Sequence, residues 1–181
     1  IPSSVTSIGN GAFYGCDELK SITVDPNNTN YSSEDGVLYN KDKTEIIVVP
    51  EAIKGKFTIP SSVIDINKGA FARCRNLKNI EIPSSVNAIG DFAFSDCEGL
   101  TNITIPSSVS KIGDYAFSTC KNLASIVIPS SVTSIGDWVF SHCYSLTNID
   151  LPSSITSIGD WAFATCEVLA NIKIPSNVTS L

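Results

Sequence analysis

The most constraining feature of this chain is the 23-residue spacing of its proline-containing blocks. Aligned on the Ile or Leu that precedes each proline, the blocks start at Ile59, Ile82, Ile105, Ile128, Leu151 and Ile174. An earlier block starts at Ile1 and is followed 23 residues later by Val24, after which an insertion of 12 residues delays the start at Ile59. Repeats of about 20 to 29 residues with regularly spaced apolar positions are typical of solenoids. The spacing therefore predicts a stack of small coils.

The composition argues against several classes of partner. The formal net charge is −6, and no cluster of Lys or Arg is present, so we expect no binding of nucleic acid. No apolar run approaches the ~18 residues that a membrane-spanning helix needs, so we expect no direct membrane insertion. The chain contains no Met and begins inside a repeat. We therefore expect residues 1–181 to form a single solenoid domain that is a fragment of a longer protein.

A single repeat shows how one coil is built. Ile126 and Ile128 lie two residues apart, which predicts a short strand with one buried face. Pro129 ends this strand because proline lacks the N–H that a β-ladder requires. A second extended segment carries Val109 and Ile112 inward. Each coil should therefore contribute two short extended segments.

A tight turn completes the coil. Gly113 breaks the second extended segment, and the side chain of Asp114 is placed to cap the turn that follows. Ala116, Phe117 and Cys120 have the spacing of one 3₁₀ or α-helical turn. Such a coil cannot cover its own open sides, so we expect stacking to bury two columns of side chains: Phe71, Phe94, Phe117, Phe140 and Phe163, and Leu77, Leu100, Leu123, Leu146 and Leu169.

The repeat follows the pattern L-x-x-I-x-[IL]-P-S-S-[VI]-x-x-I-G-x-x-[AV]-F-x-x-C through nearly the whole chain, and it resembles the BspA-like class of leucine-rich repeats. The resemblance implies a leucine-rich-repeat solenoid, mostly β, in which short parallel β-strands and 3₁₀ or short helical turns form a right-handed superhelix. It also implies a cell-surface or secreted protein that adheres to host or matrix proteins. The chain departs from the common leucine-rich consensus, since the position usually held by Asn or Cys is Ser: Ser85, Ser108, Ser131 and Ser154.

The segment that contains the insertion and its hairpin covers about residues 25–58, and the insertion also resembles one that such proteins carry. Residues 35–39 and 44–50 are rich in apolar side chains and flank the polar segment 40–43. This arrangement predicts an inserted β-hairpin with a polar turn, which leads back to the next coil at residues 57–59.

No pattern in the chain predicts catalysis, a metal centre or a cofactor. The cysteines share one position of the repeat and lack any C-x-x-C spacing, so we expect a column of free, buried thiols: Cys16, Cys74, Cys97, Cys120, Cys143 and Cys166. His142 occupies a position that varies between coils, which predicts a surface residue. The first Ser of each Pro-Ser-Ser corner is expected to satisfy backbone groups at the bend: Ser61, Ser84, Ser107, Ser130 and Ser153.

A column of carboxylates has two interpretations. Its members are Asp91, Asp114, Asp137 and Asp160. Like charges at a spacing of about 5 Å could attract calcium. The capping role explains the same residues without a cation.

Two surfaces are candidates for binding. The first comprises the outward side chains of the strands on the predicted concave face: Asn79, Glu81, Asn102, Thr104, Ser125, Val127, Asn148, Asp150, Asn171 and Lys173. The second is an aromatic column that replaces glycines of earlier coils: Phe92, Tyr115, Trp138 and Trp161. The polar strand residues could instead bond to one another as a coat, and the rings could merely shield the convex side.

These features together predict a non-enzymatic scaffold. We expect the concave face to bind a protein or glycoprotein, because a long rigid surface loses little freedom on binding. One alternative is a structural spacer or stalk for another domain. The other is a carbohydrate-binding surface that uses the aromatic column.

Overall fold

The chain folds into stacked coils built around short β-strands. The computed structural model describes every residue from Ile1 to Leu181. The strands are β1 (Tyr31–Glu34), β2 (Val37–Asn40), β3 (Glu45–Val48), β4 (Lys54–Thr58), β5 (Asp65–Ile66), β6 (Asn76–Glu81), β7 (Ala88–Ile89), β8 (Asn102–Thr104), β9 (Lys111–Ile112), β10 (Ser125–Val127), β11 (Ser134–Ile135), β12 (Asn148–Asp150) and β13 (Ser157–Ile158). No helix in the structure has both the length and the apolar character required to span a bilayer.

Parallel pairing between equivalent residues holds successive coils in register. On one side of the stack, β5, β7 and β9 pair in parallel, and β11 pairs with β13 in the same way. On another side, β4 pairs with β6, and β10 lies between β8 and β12. Ile126 lies directly opposite Ile103 and Ile149 in this ladder. The predicted solenoid of short parallel strands is therefore confirmed.

The turn side of each coil is a series of tight turns that also pairs with its neighbours. The N–H of Cys120 donates to the carbonyl oxygen of Phe117 at 3.2 Å, as expected for a 3₁₀ turn. Tyr115 and Thr119 have positive φ values of 58° and 60°, and left-handed residues interrupt a continuous helix. They also turn alternate N–H groups toward the next coil, so that the N–H of Phe117 donates to the carbonyl oxygen of Val139 at 3.0 Å.

The core is a column of stacked rings along the solenoid axis. Phe71 and Phe94 have ring centroids 5.0 Å apart, and the Phe117 and Phe140 rings are 5.7 Å apart. Each of these four side chains is fully buried, while Phe163 in the last coil is partly exposed. Burial of a Phe side chain contributes about 1.5–3 kcal/mol. Every coil therefore owes its stability to its neighbours, as the column pattern predicts.

The insertion forms a three-stranded antiparallel meander. The predicted hairpin is present, since Tyr39 of β2 pairs with Ile46 of β3. Strand β1 adds to the free edge of β2, and it was not predicted because Tyr31–Glu34 shows no apolar alternation. Ile46 also pairs in parallel with Ile66 of β5. The meander is therefore continuous with one side of the solenoid.

The first coil packs apart from the rest. Ile22, Val24 and Leu38 form a small buried cluster of their own, distinct from the main core that begins at Val37 and continues through the later coils. The parallel stacking of the core Phe rings also ends here, because Phe57 contacts Phe71 edge to face at 5.4 Å instead of stacking on it. The insertion thus interrupts the regular stack between the first coil and the coil that begins at Ile59.

Candidate binding surfaces

The outward side chains of β6, β8, β10 and β12 form one continuous exposed surface, here called the strand face. It consists of Asn79, Glu81, Asn102, Thr104, Ser125, Val127, Asn148 and Asp150, all of which are exposed. Val127 is 64% exposed and lies directly between Thr104 and Asp150 in the ladder. The strand face therefore presents an apolar centre within a polar surround.

We expected Asn171 and Lys173 to point outward from a further strand of the same face, but the structure has no strand at residues 171–173. Residues 171–173 are exposed but form no ladder with β12. Ile172 and Ile174 should point inward in a regular coil, yet they are 36% and 37% exposed. The reason is that this last coil is covered on one side only.

The amide column of the strand face does not bond to itself. Asn102 donates through Nδ2 only to the adjacent Thr101 hydroxyl, at 3.4 Å. Asn79, Ser125 and Asn148 make no side-chain hydrogen bond within the protein. The polar side chains of the strand face therefore do not hydrogen-bond to one another along the column, and they face solvent.

The two carboxylates of the strand face differ in environment. Glu81 forms an ion pair with Lys56 at 2.6 Å and accepts a hydrogen bond from the Thr58 hydroxyl at 2.8 Å. The Lys56 ammonium lowers the pKa of Glu81. Asp150 has no ion-pair partner. Asp150 is therefore the carboxylate that remains available to a cationic group of a partner.

The four side chains of the aromatic column stack on one another with parallel rings. Phe92, Tyr115, Trp138 and Trp161 lie face to face, with centroids 4.6, 5.8 and 5.2 Å apart and planes within 13° of parallel. Each ring therefore covers the face of its neighbour. Sugar rings bind to the open face of an aromatic side chain, and Trp161, which is 64% exposed, is the member whose ring is open to solvent.

All four aromatic residues have left-handed backbone geometry. Their φ values are 56°, 58°, 57° and 57° from Phe92 to Trp161, a region that costs a non-glycine residue about 1–2 kcal/mol. Gly11 and Gly69 hold the equivalent position in earlier coils, with φ values of 71° and 66°. Those glycines were the available sequence signal for this geometry. The stacked rings and the N–H donated to the next coil offset the strain.

The aspartates link one coil to the next instead of capping their own turn. Oδ1 of Asp114 accepts a hydrogen bond from the backbone N–H of Asp137 at 2.9 Å, and Oδ1 of Asp137 accepts one from Asp160 at 2.8 Å. The predicted capping role is therefore wrong, because the carboxylate points along the solenoid axis. The same geometry explains Gly136, where a Cβ would overlap Oδ1 of Asp114.

In the Pro-Ser-Ser corner, the second serine makes the hydrogen bond to the backbone of the preceding coil. Oγ of Ser108 donates to the carbonyl oxygen of Val86 at 2.6 Å, and Oγ of Ser154 donates to that of Val132 at 2.7 Å. The first serines of the corners are exposed, so the prediction chose the wrong serine: Ser61, Ser84, Ser107, Ser130 and Ser153. The second serine stands where the common leucine-rich consensus has Asn, and here a shorter side chain makes the contact between coils.

The cysteines form no disulfides, and their buried thiols, like the second serines, donate to backbone carbonyl oxygens of the preceding coil. The thiol of Cys120 donates to the carbonyl oxygen of Phe94 at 3.2 Å, and that of Cys143 to Phe117 at 3.3 Å. Burial raises the pKa of the Cys120 thiol well above its usual range. The prediction of buried thiols is wrong for Cys16, which is exposed, and for Cys166, which is partly exposed, because both lie in the end coils of the stack. The buried thiols thus act as weak donors to the preceding coil as well as small apolar groups.

The single histidine lies beside an aromatic ring. His142 is half-buried, and its ring meets that of Tyr144 edge to face at 6.0 Å. No group of three or more His, Cys, Asp or Glu side chains is placed to hold a metal ion.

A charged cluster joins the first coil to the third. Arg73 bonds to Oδ1 of Asp17 at 2.8 Å and to Oε2 of Glu51 at 3.2 Å, and its guanidinium lies 5.2 Å from the centroid of the Tyr14 ring. The hydrogen bond from Arg73 lowers the pKa of Asp17, whereas burial raises the pKa of Glu51. Glu51 is only 7% exposed, so the cluster includes a nearly buried carboxylate held by Arg73.

Parallel coils of this length, with an outward strand face and ladders between coils, define the chain as a leucine-rich-repeat solenoid. The chain belongs to the BspA type leucine-rich repeat family, whose repeat region matches in 6 copies over residues 1–55, 53–136 and 88–181. The predicted family is therefore confirmed.

Solved bacterial structures share this fold. A leucine-rich repeat protein from Eubacterium ventriosum is 34% identical, with a TM-score of 0.81, and the match covers 99% of this chain and 55% of that one. A leucine-rich cell surface protein from Faecalibacterium prausnitzii is 33% identical, with a TM-score of 0.64, over 83% of this chain and 46% of that one. This chain thus spans about half the length of these relatives. The comparison with curated proteins gave no match.

Proposed function

We propose that this chain is a non-enzymatic recognition module, at the cell surface or secreted, that binds a protein or glycoprotein through the strand face. The observation that carries the proposal is that, apart from Glu81, the polar side chains of the strand face have no partner across the face. Its amides have no partners among themselves, Asp150 has no counter-ion, and Val127 is 64% exposed at the centre. An exposed apolar centre with a polar rim is the usual anatomy of a protein interface.

The rigidity of the strand face supports the same proposal. Each strand is held in register by parallel pairing to its neighbours, so the side chains need little further ordering when a partner binds. The relative that is 33% identical is a cell surface protein, which supports the proposed location. Carbohydrate binding through the aromatic column is less favoured, since that column closes its ring faces on one another.

The test is a binding screen against purified extracellular-matrix and serum proteins by surface plasmon resonance. Val127→Asp and Asp150→Lys should each weaken binding of a partner about tenfold or more, as central interface residues do. Ser134→Asp is the matched control, because Ser134 is exposed on β11, outside the strand face. Binding that is unaffected by both strand-face substitutions would overturn the proposal. Binding to a glycan array that is lost with Trp161→Ala would favour the carbohydrate alternative instead.

A further inference from the structure

A cavity of about 570 Å³ opens on the turn side between the first coil and the coil that begins at Ile59. Its cause is a shortened second coil. Ile46 and Ile66 are paired residues of adjacent coils, but Pro60 follows Ile46 by 14 residues whereas Pro83 follows Ile66 by 17. The second coil is therefore three residues shorter than a regular coil over this stretch, which leaves room on the turn side. We call the resulting cavity the turn slot.

The first-coil wall of the turn slot carries backbone donors. In a regular coil, the N–H groups of Phe92, Phe94 and Asp96 donate to the carbonyl oxygens of the following coil at 2.8 to 2.9 Å. The equivalent residues of the first coil are Gly11, Phe13 and Gly15. The Gly15 N–H is satisfied by Oε1 of Glu51 at 2.7 Å. The N–H groups of Gly11 and Phe13 have no hydrogen-bond partner within the protein.

The opposite wall carries backbone acceptors. The equivalent carbonyl groups there belong to Lys68, Ala70 and Ala72. The Ala70 oxygen accepts a hydrogen bond from the Val49 N–H at 2.7 Å, while the Lys68 and Ala72 oxygens accept none. Val49 thus occupies the middle of this wall, and the Lys68 and Ala72 oxygens lie on either side of it.

The base of the turn slot is apolar. Ile47 and Val48 are only partly buried there, and Phe13, Leu19 and Tyr31 contribute further apolar surface to the lining. A polypeptide carries carbonyl acceptors and N–H donors in alternation, together with side chains that could cover such a base. The N–H groups of Gly11 and Phe13 are two residues apart and unpaired, which matches the spacing of carbonyl groups along one edge of an extended polypeptide, and added strands and segments are a recurrent mode of peptide recognition.

We propose that the turn slot binds a short polypeptide segment of a partner protein. The segment runs along the first-coil wall, where its carbonyl oxygens accept from the N–H groups of Gly11 and Phe13, and it places an apolar side chain against Ile47 and Val48. The turn slot shares no residue with the strand face. This second binding site is therefore independent of the function proposed above.

The probe is a phage-displayed library of random dodecapeptides, selected on the intact chain, with the best binders then synthesised. In the slot-filled variant, residues 47–59 are replaced by the sequence of residues 67–82, which restores a regular turn. The selected peptides should lose binding to the slot-filled variant about tenfold or more, and they should slow hydrogen exchange at the amides of Gly11 and Phe13. The matched control is Val127→Asp, which should leave peptide binding unchanged.

Three outcomes would overturn the proposal. Peptides could bind the slot-filled variant as tightly as the natural chain, or perturb amides of the strand face alone, or fail to emerge from the library at all. If the slot-filled variant does not fold, the amide protection of Gly11 and Phe13 in the natural chain decides the question. Because Val127→Asp affects the strand face alone, failure here is distinguishable from failure of the function proposed above.

Discussion

The Glu51 carboxylate accepts a hydrogen bond from the backbone N–H of Gly15 at 2.7 Å. In regular coils, the equivalent N–H bonds to a main-chain carbonyl of the next coil, as Thr119 bonds to Ser141 at 2.8 Å. Glu51 thus supplies with a side chain the acceptor that the shortened second coil cannot supply with its backbone. Its second oxygen holds Arg73 at 3.2 Å. This carboxylate is therefore one of the links between the first coil and the rest of the solenoid.

Glu51→Ala should therefore destabilise the first coil. The substitution leaves the Gly15 N–H unpaired and removes one partner of Arg73, and we expect the free energy of unfolding to fall by about 1.5–3 kcal/mol. Urea denaturation followed by tyrosine and tryptophan fluorescence measures the change. Glu51→Gln keeps an acceptor for Gly15 and should lose less stability. Equal losses for both variants would show that the hydrogen bond to Gly15 contributes nothing.

The aspartate ladder predicts a defined coupling between Gly136 and Asp114. Gly136→Ala places a Cβ against Oδ1 of Asp114 and forces that oxygen away from the Asp137 N–H. We expect a loss of about 1–3 kcal/mol in the free energy of unfolding. In the Asp114→Ala background the same change should cost much less, because the overlapping atom is absent. Gly9→Ala is the control, since a Cβ there meets nothing within 4 Å. Additive effects of the two substitutions would contradict this contact.

The left-handed backbone of the aromatic column predicts an unusual order of stabilities at Tyr115. Both Tyr115→Ala and Tyr115→Gly remove the stacking with Phe92 and Trp138, worth about 0.5–1.5 kcal/mol per pair. Only glycine also relieves the positive φ, which costs other residues about 1–2 kcal/mol. The glycine variant should therefore be more stable than the alanine variant in thermal unfolding. An alanine variant that is the more stable of the two would mean that the backbone there is not left-handed in solution.

The thiols should react in three classes. Cys16 is exposed and should react quickly with a disulfide reagent such as Ellman's reagent. Cys166 should react slowly, because burial raises its pKa to about 11 and the thiolate is scarce at mildly alkaline pH. The remaining cysteines are buried and should react only in denaturant. Mass spectrometry of the labelled peptides assigns each class, and rapid labelling of Cys97 or Cys120 in the native protein would contradict the packing.

The regular part of the molecule was predictable because the same residue types recur at the same positions of every coil. The residue types at Phe117 and Leu123 recur every 23 residues. Side chains at the same position of adjacent coils therefore contact one another, which predicts the buried columns and the parallel strands. The paired segments of the hairpin were also predictable, from two apolar stretches around a polar turn. Strand β1 was not, since it has a polar sequence and pairs only because the edge of β2 is open to it.

The contacts between coils were harder to predict because they depend on side-chain direction. Because Asp114 follows Gly113 at the start of a turn, the sequence predicts that its side chain caps that turn. In the structure, its carboxylate instead accepts a hydrogen bond from Asp137 of the next coil. Likewise, both serines of each corner are equivalent in composition, but only the second faces the Val of the preceding coil. Such choices are made by the backbone geometry of the neighbour, which no single coil contains.

Amino-acid order alone thus determined the repeat, the solenoid class, the buried columns and the outward side chains of the strand face, because all of these follow from periodicity. Tertiary structure alone decided that the amides of the strand face stay unpaired, that the aromatic faces close on one another, and that a turn slot opens beside the first coil. The physical reason is that these features arise between coils: each depends on distances and bond directions set by two neighbours together, and a missing turn becomes a cavity only when both of its walls are in place.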